Sequence, residues 1–399
     1  MRRTWGIAVL RRNWSSLRPI IAIVIGLAVF SLATVDYATS PTEHKGLHVG
    51  PLFFTVPGMK SPVAAGHKPV AGHPPTTNGG TTPASGLKYP LLGLLDRQGA
   101  PSASFYTVLN GYVVNVSWAS LQTSAGGPIT SNNAIDRAIA QVRSANAAGA
   151  HLALKVRIFA GIQAPLWAKN IGGAPVAVRD THSGATGTVG RFWTAAFGQA
   201  YQDLQTKLAA QYDAVLEIRE VTMSRCTTIY DEPFLRQTND PTSVANLWQA
   251  GYTAAADKLC QQQQVQAHAV WQHTRSDLAF NPAEQIYSAT KVGVDEMFTE
   301  QMMSYCRQVL GSRCIIENNS LRSTSMGTRY DQMYTAMTVR GPNIAFQTAT
   351  MGRVGSLSIT LGKAISLYAA SVELPSGYQA LGAAAFAAFA PRLAANVGP

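Results

Sequence analysis

The residues best suited to chemistry in this chain are three glutamates that end short apolar, strand-like segments. Glu220 lies in AVLEIREVT, Glu317 in CIIENN and Glu373 in SVELP. Two carboxyl groups on opposite sides of a glycosidic bond can hydrolyse it, because one protonates the leaving oxygen while the other attacks the sugar or activates water. A separation of about 5 to 5.5 Å gives retention, and roughly 6.5 to 9.5 Å gives inversion. The three glutamates are therefore predicted catalytic residues.

The segments that carry these acids belong to a regular alternation of strand-like and helical patterns. Such an alternation predicts an α/β fold, a single (β/α)8 TIM barrel over residues 88–399, with its active site at the C-terminal ends of the strands. A helix over 379–395 is expected to close it. The eight predicted strands are 90–95, 112–118, 151–159, 214–222, 265–273, 314–318, 344–348 and 369–374.

The chain before the barrel divides into three parts. Residues 1–18 form a basic segment with five arginines, and residues 19–35 are uncharged and apolar. That length is at the lower limit for crossing a bilayer, and the preceding positive charge predicts the N-terminal side inside. Residues 36–87 are rich in Pro, Gly and Thr, which is typical of a flexible, disordered linker. We expect the barrel outside the cytoplasm, held by residues 19–35 as a single-pass anchor, or secreted if that segment is cleaved.

The formal charge of +11 lies largely outside the barrel. Eight basic and two acidic residues precede residue 88, so the remainder has a surplus of only five positive charges. No basic run with interleaved aromatic residues occurs there, which excludes a nucleic-acid partner. The oligomeric state stays open.

The four cysteines fit an oxidising compartment. Cys306 is expected to end a helix and Cys314 to begin the next strand, so a disulfide between them is predicted. Cys226 lies just past Glu220 at the top of the barrel, whereas Cys260 is expected to end a helix at the bottom. These two are predicted to be too far apart to pair.

Two segments resemble strands two and three of the clan-A glycoside hydrolases. One reads GYVVNVSWASLQ from Gly111, and the other reads GAHLALKVR from Gly149. They match the V-x-W-x-x-x-(E/Q) and G-x-x-(V/L)-x-(V/L)-R strands of that superfamily. The resemblance implies a barrel with a general acid/base at the end of strand four, at Glu220. Arg219 stands where the family usually has Asn, and strand seven, with Gln347, lacks the acid that normally serves as nucleophile.

Two residues are candidates for the missing partner of Glu220. Strand six is two strands from strand four, and the α-galactosidase clan divides its acids between those strands, which favours Glu317. Glu373 on strand eight remains the alternative and requires a narrow mouth.

Other side chains near predicted strand ends suit a sugar site. Trp118, Trp167 and Trp271 are predicted to stack on pyranose rings. If Arg157 or Arg219 points inward, it should lower the pKa of a neighbouring carboxyl group. Hydrogen bonds to sugar hydroxyls or to the acids are predicted for Gln163, His273, Asn318 and Gln347.

Cofactor-dependent chemistry has no sequence support. GxGxxG after a strand, a P-loop and HExxH are all missing. No cofactor and no metal ion are predicted. The sequence thus predicts an extracytoplasmic glycoside hydrolase acting on an oligo- or polysaccharide. The alternative is a non-catalytic carbohydrate-binding barrel at the cell surface.

Overall fold

Eight parallel strands close into a barrel in a computed structural model that describes residues 86–235 and 238–396. The order around the barrel is β1-β12-β11-β10-β7-β6-β3-β2. The described strands are β1 (Gly93–Asp96), β2 (Gly111–Ser117), β3 (Ala153–Phe159), β4 (Val176–Arg179), β5 (Thr186–Val189), β6 (Ile218–Thr222), β7 (Arg275–Ala279), β8 (Ala283–Ile286), β9 (Val292–Asp295), β10 (Cys314–Leu321), β11 (Ile344–Thr348) and β12 (Ala369–Leu374).

Helices follow most barrel strands and cover the outside of the barrel. Several begin at side chains that accept hydrogen bonds from the first turn, including Asn133 in a capping box with Asp136, and Asp240 followed by Pro241. The described helices are α1 (Trp118–Leu121), α2 (Ala134–Ala147), α3 (Leu166–Lys169), α4 (Ala195–Tyr212), α5 (Pro241–Gln249), α6 (Ala254–Ala267), α7 (Glu296–Leu310), α8 (Thr328–Val339), α9 (Met351–Val354), α10 (Leu357–Ser366) and α11 (Ala390–Ala394).

The barrel strands alternate between apolar residues that face the helices and polar residues that face the interior. On β3, Leu154, Val156 and Ile158 belong to the main hydrophobic core, whereas Lys155 and Arg157 enter the buried ion cluster of the interior. This alternation follows from the two-residue period of a strand. The interior of this barrel is therefore charged rather than filled with branched apolar side chains.

The segment before β1 closes the bottom of the barrel. The Lys88 ammonium donates to the Ile218 carbonyl oxygen at 2.9 Å and to Thr274 Oγ1 at 2.7 Å. The Arg275 guanidinium donates to the Lys88 carbonyl oxygen at 2.6 Å. Because these groups are at the N-terminal ends of β6 and β7, the open mouth is at the opposite end.

Two antiparallel hairpins, absent from the sequence prediction, extend from the C-terminal end of the barrel. β4 pairs with β5 after the third barrel strand, and β8 pairs with β9 after the fifth. Both contribute residues to the mouth cavity described below.

Seven predicted barrel strands are confirmed within a few residues, and the fifth is wrong. Residues 265–267 end α6, and residues 268–270 form a 3-10 turn. The true strand is β7, whose Arg275 and Asp277 face inward, so its polar side chains conceal the strand in the sequence. The predicted closing helix is also shorter than expected. Two 3-10 turns separated by Gly382, at φ 72°, precede α11.

Two disulfides join the four cysteines. The predicted Cys306–Cys314 bond is confirmed. The prediction that Cys226 and Cys260 cannot pair is wrong, since their sulfurs are bonded and their Cα atoms are 6.1 Å apart. Cys260 lies in the middle of α6 rather than at its lower end, where the loop after β6 reaches it.

The predicted N-terminal parts, residues 1–18, 19–35 and nearly all of 36–87, lie outside the described residues. Within the described part of the chain, no helix is both long enough and apolar enough to cross a membrane.

Candidate functional site

A buried ion cluster centred on Lys155 fills the middle of the barrel. The Lys155 ammonium lies 2.8 Å from Glu317 Oε2, 2.8 Å from Glu373 Oε1 and also contacts Asp277. The two glutamate oxygens are thus separated by no more than twice that distance, with a cation between them. Each of the four side chains is at most 1% exposed. Because buried charges are costly without partners, the cluster must remain closely paired.

Arg157 forms a second layer of this cluster, two residues further along β3. Its guanidinium lies 2.7 Å from Glu373 Oε1 and 2.6 Å from Asp231 Oδ2. Asp231 is in the loop that follows β6, so this pair connects the barrel interior to the mouth loops. Arg157 thus points inward, which is the condition under which it was expected to lower the pKa of a neighbouring carboxyl group.

The three predicted catalytic glutamates differ in protonation. Burial by itself raises the pKa of Glu373, but Arg157 and Lys155 outweigh that effect and hold this pKa at about 2. Burial raises the pKa of Glu220 to about 8, and Lys155 only partly offsets this. Burial and then Asp277 raise the pKa of Glu317 well above its usual value. At neutral pH, Glu373 is therefore ionised and Glu220 is mainly protonated, while the pKa of Glu317 is shifted in the same direction as that of Glu220.

The position of these glutamates does not suit the predicted catalytic pair. Glu220, Glu317 and Glu373 are each about 1% exposed and do not line the mouth cavity. A sugar ring placed between Glu317 and Glu373 would have to displace Lys155. The structure brings these two glutamates together in a closed ion cluster, whereas the predicted pairs joined Glu220 to one or the other of them.

Neither buried tryptophan of the predicted stacking set faces the mouth. Trp118 is fully buried and packs edge-on against Trp167 and Phe197, outside the barrel wall. Trp271 is 2% exposed, and its indole donates to Gln205 at 2.9 Å. Stacking on a sugar is incompatible with these positions, so the prediction is corrected for both residues.

The four residues predicted to hydrogen-bond a sugar or the acids lie in different parts of the barrel. His273 lies at the closed bottom of the barrel, where its Nδ1 is 2.6 Å from the Gly86 carbonyl oxygen. Asn318 points outward and accepts a hydrogen bond from Tyr334 at 3.1 Å. Gln163 is exposed but does not line the mouth cavity. Of this group, Gln347 lines the mouth cavity, and its contact with a sugar stays a prediction.

A cavity of about 810 Å³ opens above the ion cluster. It lies at the C-terminal ends of the barrel strands, where ligand sites of this fold occur. Its volume is within the usual range for small-molecule sites. The side chains that line it are mostly polar and include Arg97, Asp180, Tyr230, Glu232, Asn239, Glu284, Asn319, Arg322, Gln347 and Arg353.

Asn319, in the wall of this cavity, has unsatisfied hydrogen-bonding groups. Its side chain is buried, and neither its amide nitrogen nor its amide oxygen has a partner among the described residues. The only bond from its neighbour Gln347 goes to the Asn319 backbone oxygen, at 3.4 Å. A buried unpaired polar group costs roughly 1–3 kcal/mol, which a ligand hydroxyl would recover.

A second cavity of about 450 Å³ adjoins the first, and Glu284 lines both. Asn281 in its wall is 1% exposed, and its Nδ2 atom has no partner among the described residues. Its Oδ1 atom accepts a hydrogen bond from Tyr330 at 3.2 Å. The two cavities thus repeat one feature, a buried amide with unused hydrogen-bonding capacity.

Sequence reasoning missed Lys155, Asp231, Glu232 and Asn319. Lys155 could have been found from the sequence, because it alternates with Arg157 on the third strand and period-two spacing places both side chains inside the barrel. Asp231 and Glu232 lie nine and ten positions beyond the last residue of β6, so proximity to a strand end did not identify them.

No protein-family model and no curated protein matches the sequence. Solved structures with a similar fold include an endo-beta-1,4-glucanase from Xanthomonas axonopodis pv. citri, at 13% identity, 72% of this chain, 88% of that chain and TM-score 0.40. The catalytic domain of beta-amylase from Paenibacillus polymyxa is 10% identical, and the match covers 77% of this chain and 98% of that domain with a TM-score of 0.47. Endo-glycoceramidase II from Rhodococcus sp. is 14% identical, and the match covers 70% of this chain and 77% of that one with a TM-score of 0.38.

These similarities concern the fold and do not transfer an activity. The barrel itself is established by the strand pairing of the chain. The predicted (β/α)8 architecture is thus confirmed, and its seventh barrel strand, β11, contains Gln347 and no acid.

Proposed function

We propose that this protein binds an oligo- or polysaccharide in the mouth cavity and that its three buried glutamates stabilise the barrel rather than cleave the ligand. The observation that carries this proposal is the contrast between the sealed glutamates and the polar cavity above them. The cavity offers amide, hydroxyl, carboxylate and guanidinium groups, a mixture that suits a ligand rich in hydroxyl groups.

The adjoining cavity supports a ligand longer than one sugar unit. Asn319 and Asn281 are in separate but neighbouring cavities with Glu284 between them. A chain of linked sugars presents hydroxyl groups at repeated intervals, so one molecule can satisfy both amides. Two disulfides favour a location outside the cytoplasm, consistent with the proposed anchor or secretion signal at residues 19–35.

Hydrolysis is the second candidate function, and Glu232 is the residue that favours it. Glu232 is half-buried in the mouth cavity, on the loop after the fourth barrel strand. A carboxyl group in this position can reach a bound glycosidic oxygen, which Glu220 cannot. This candidate replaces Glu220 with Glu232 as general acid and leaves the ion cluster intact.

Binding and cleavage are separated by two variants of the full chain. Asn319→Ala should weaken oligosaccharide binding about tenfold, because one or two hydrogen bonds are lost. Asn170→Ala, at an exposed asparagine outside the cavity, is the matched control. Binding is measured by glycan microarray followed by calorimetry. Equal affinity of Asn319→Ala and wild type for every bound glycan would contradict the proposed site.

Product analysis on the same glycans tests the second candidate. The binding proposal expects no new reducing ends with either wild type or Glu232→Gln. Release of reducing ends by wild type, abolished in Glu232→Gln but with binding retained, would establish hydrolysis instead. Cleavage that survives in Glu232→Gln would exclude this residue as the general acid.

A further inference from the structure

The walls of the mouth cavity carry opposite charges on its two sides. Three arginines come from one half of the barrel: Arg97 follows β1, Arg322 follows β10, and Arg353 lies in α9 after β11. Strands β1, β12, β11 and β10 are consecutive around the barrel. The arginines therefore converge from adjacent strand ends on one side of the cavity.

The acids of the cavity come from the other half. Asp180 is in the hairpin after β3, Glu232 in the loop after β6, and Glu284 in the hairpin after β7. Strands β7, β6 and β3 are also consecutive. The separation of charge thus follows from the topology of the barrel and not from one local contact.

Two of these acids are already engaged on their own side. Asp180 accepts hydrogen bonds from Tyr230 at 2.5 Å and from Ser183 at 2.7 Å. Glu284 accepts one from Thr238. These bonds hold the carboxylates among the loops that carry them.

None of the three arginines forms a salt bridge within the described residues, although Glu373 and Asp231 lie near enough to Arg97 to attract it electrostatically. The Arg97 guanidinium donates to the Thr348 carbonyl oxygen at 2.9 Å, and Arg322 Nε donates to the Ser320 carbonyl oxygen at 3.4 Å. The salt bridges of arginine in the described chain are made by others: Arg143, Arg157, Arg329 and Arg340. Most of the donors of the three mouth arginines thus remain available.

We infer that the sugar bound in the mouth is anionic and that Arg97, Arg322 and Arg353 bind its carboxylate or sulfate groups. Guanidinium groups match the geometry of such oxyanions with paired hydrogen bonds. Unpaired Asn319 lies beside this arginine face and can bind a neighbouring hydroxyl group. The inference rests on the proposed carbohydrate binding and narrows its ligand to acidic glycans.

A glycan microarray of matched pairs tests the inference with the full chain. One set of pairs is a uronic acid oligosaccharide and its methyl ester, and the other is a sulfated oligosaccharide and its desulfated form. We expect binding to the acidic member of a pair, at least about tenfold tighter than to the neutral member. A preference within the first set identifies a carboxylate as the bound anion, and a preference within the second set identifies a sulfate. Binding should weaken as salt is added, because the contacts are ionic.

The double variant Arg322→Gln/Arg353→Gln is expected to remove this preference. Arg392→Gln, an exposed arginine in α11, is the matched control and should retain it. Arg353→Gln alone, at an exposed side chain, is measured where the double variant folds poorly and should reduce the preference. Equal binding of acidic and neutral members by wild type, or an unchanged preference in the variants, would overturn the inference and leave carbohydrate binding intact. If wild type binds no glycan of either kind, the proposed function fails as well.

Discussion

The side chain of Lys155 determines the chemistry of the barrel interior. One ammonium group contacts carboxyl groups from β7, β10 and β12, so it connects strands on different sides of the barrel. The sequence placed Glu317 and Glu373 on the correct strands, but it gave no measure of their exposure. Their burial depends on cations from a distant segment, and such a contact cannot be inferred from local spacing.

The opposite pKa shifts of Glu373 and Glu317 predict unequal effects of the same substitution. Glu373→Gln leaves Arg157 and Lys155 with less negative charge and should lower the free energy of unfolding by about 3–5 kcal/mol. Burial and Asp277 raise the pKa of Glu317, which favours its neutral form, so Glu317→Gln should cost less stability than Glu373→Gln. Urea unfolding of both variants at neutral pH measures the difference. Equal losses would contradict the opposite directions of the two pKa shifts.

At the scale of secondary-structure elements, the barrel strands were largely predictable and the mouth was not. β11 and β12 match the predicted ranges residue for residue, because each is a short apolar run between turn signals. β7 was missed because Arg275 and Asp277 interrupt its apolar pattern. The hairpin β4–β5 was missed because its strands, VAVR and TGTV, are only four residues long and partly exposed.

The two disulfides connect these elements over chain segments of different length. The Cys226–Cys260 bond spans 34 residues and the Cys306–Cys314 bond spans 8. On the chain-entropy model, replacing the first pair by alanine should cost roughly 4 kcal/mol of unfolding free energy and the second about 2.5 kcal/mol. Thermal and urea unfolding of the two double variants provides the test. If the variant without the Cys306–Cys314 bond loses more stability, then packing in the folded state, rather than the entropy of the unfolded chain, determines the effect of the disulfides.

At the scale of the whole molecule, the sequence predicted a single barrel correctly, but not how its charge is arranged. A buried ion cluster lies in the interior, and the mouth above it has one basic and one acidic side. Both features arise when strands distant in sequence become neighbours through barrel closure. The composition of residues 88–399 shows only that basic residues exceed acidic ones by five.

The buried acids make the stability of the molecule depend on pH. The pKa of Glu220 rises from 4.5 to about 8 on folding, so the unfolded chain releases this proton at lower pH than the folded protein. The contribution of Glu220 to stability should therefore be lost progressively as pH rises between those values. Glu220→Gln carries no such proton, so this variant should gain stability relative to wild type from about pH 5 to about pH 8. Urea unfolding at both pH values is the measurement, and a constant difference would refute the assignment.

The closed bottom of the barrel also determines which way the mouth points when the protein is immobilised on a solid support. Lys88 and Gly86 are fixed beneath the strands by Ile218, Thr274 and His273. The chain therefore enters the barrel on the side away from the mouth cavity. Immobilisation through the N-terminal end would direct the mouth toward the solution, so large polymers could reach it as readily as short fragments. Coupling through the β4–β5 hairpin would instead obstruct the cavity, and a comparison of the two orientations would report directly on polymer access.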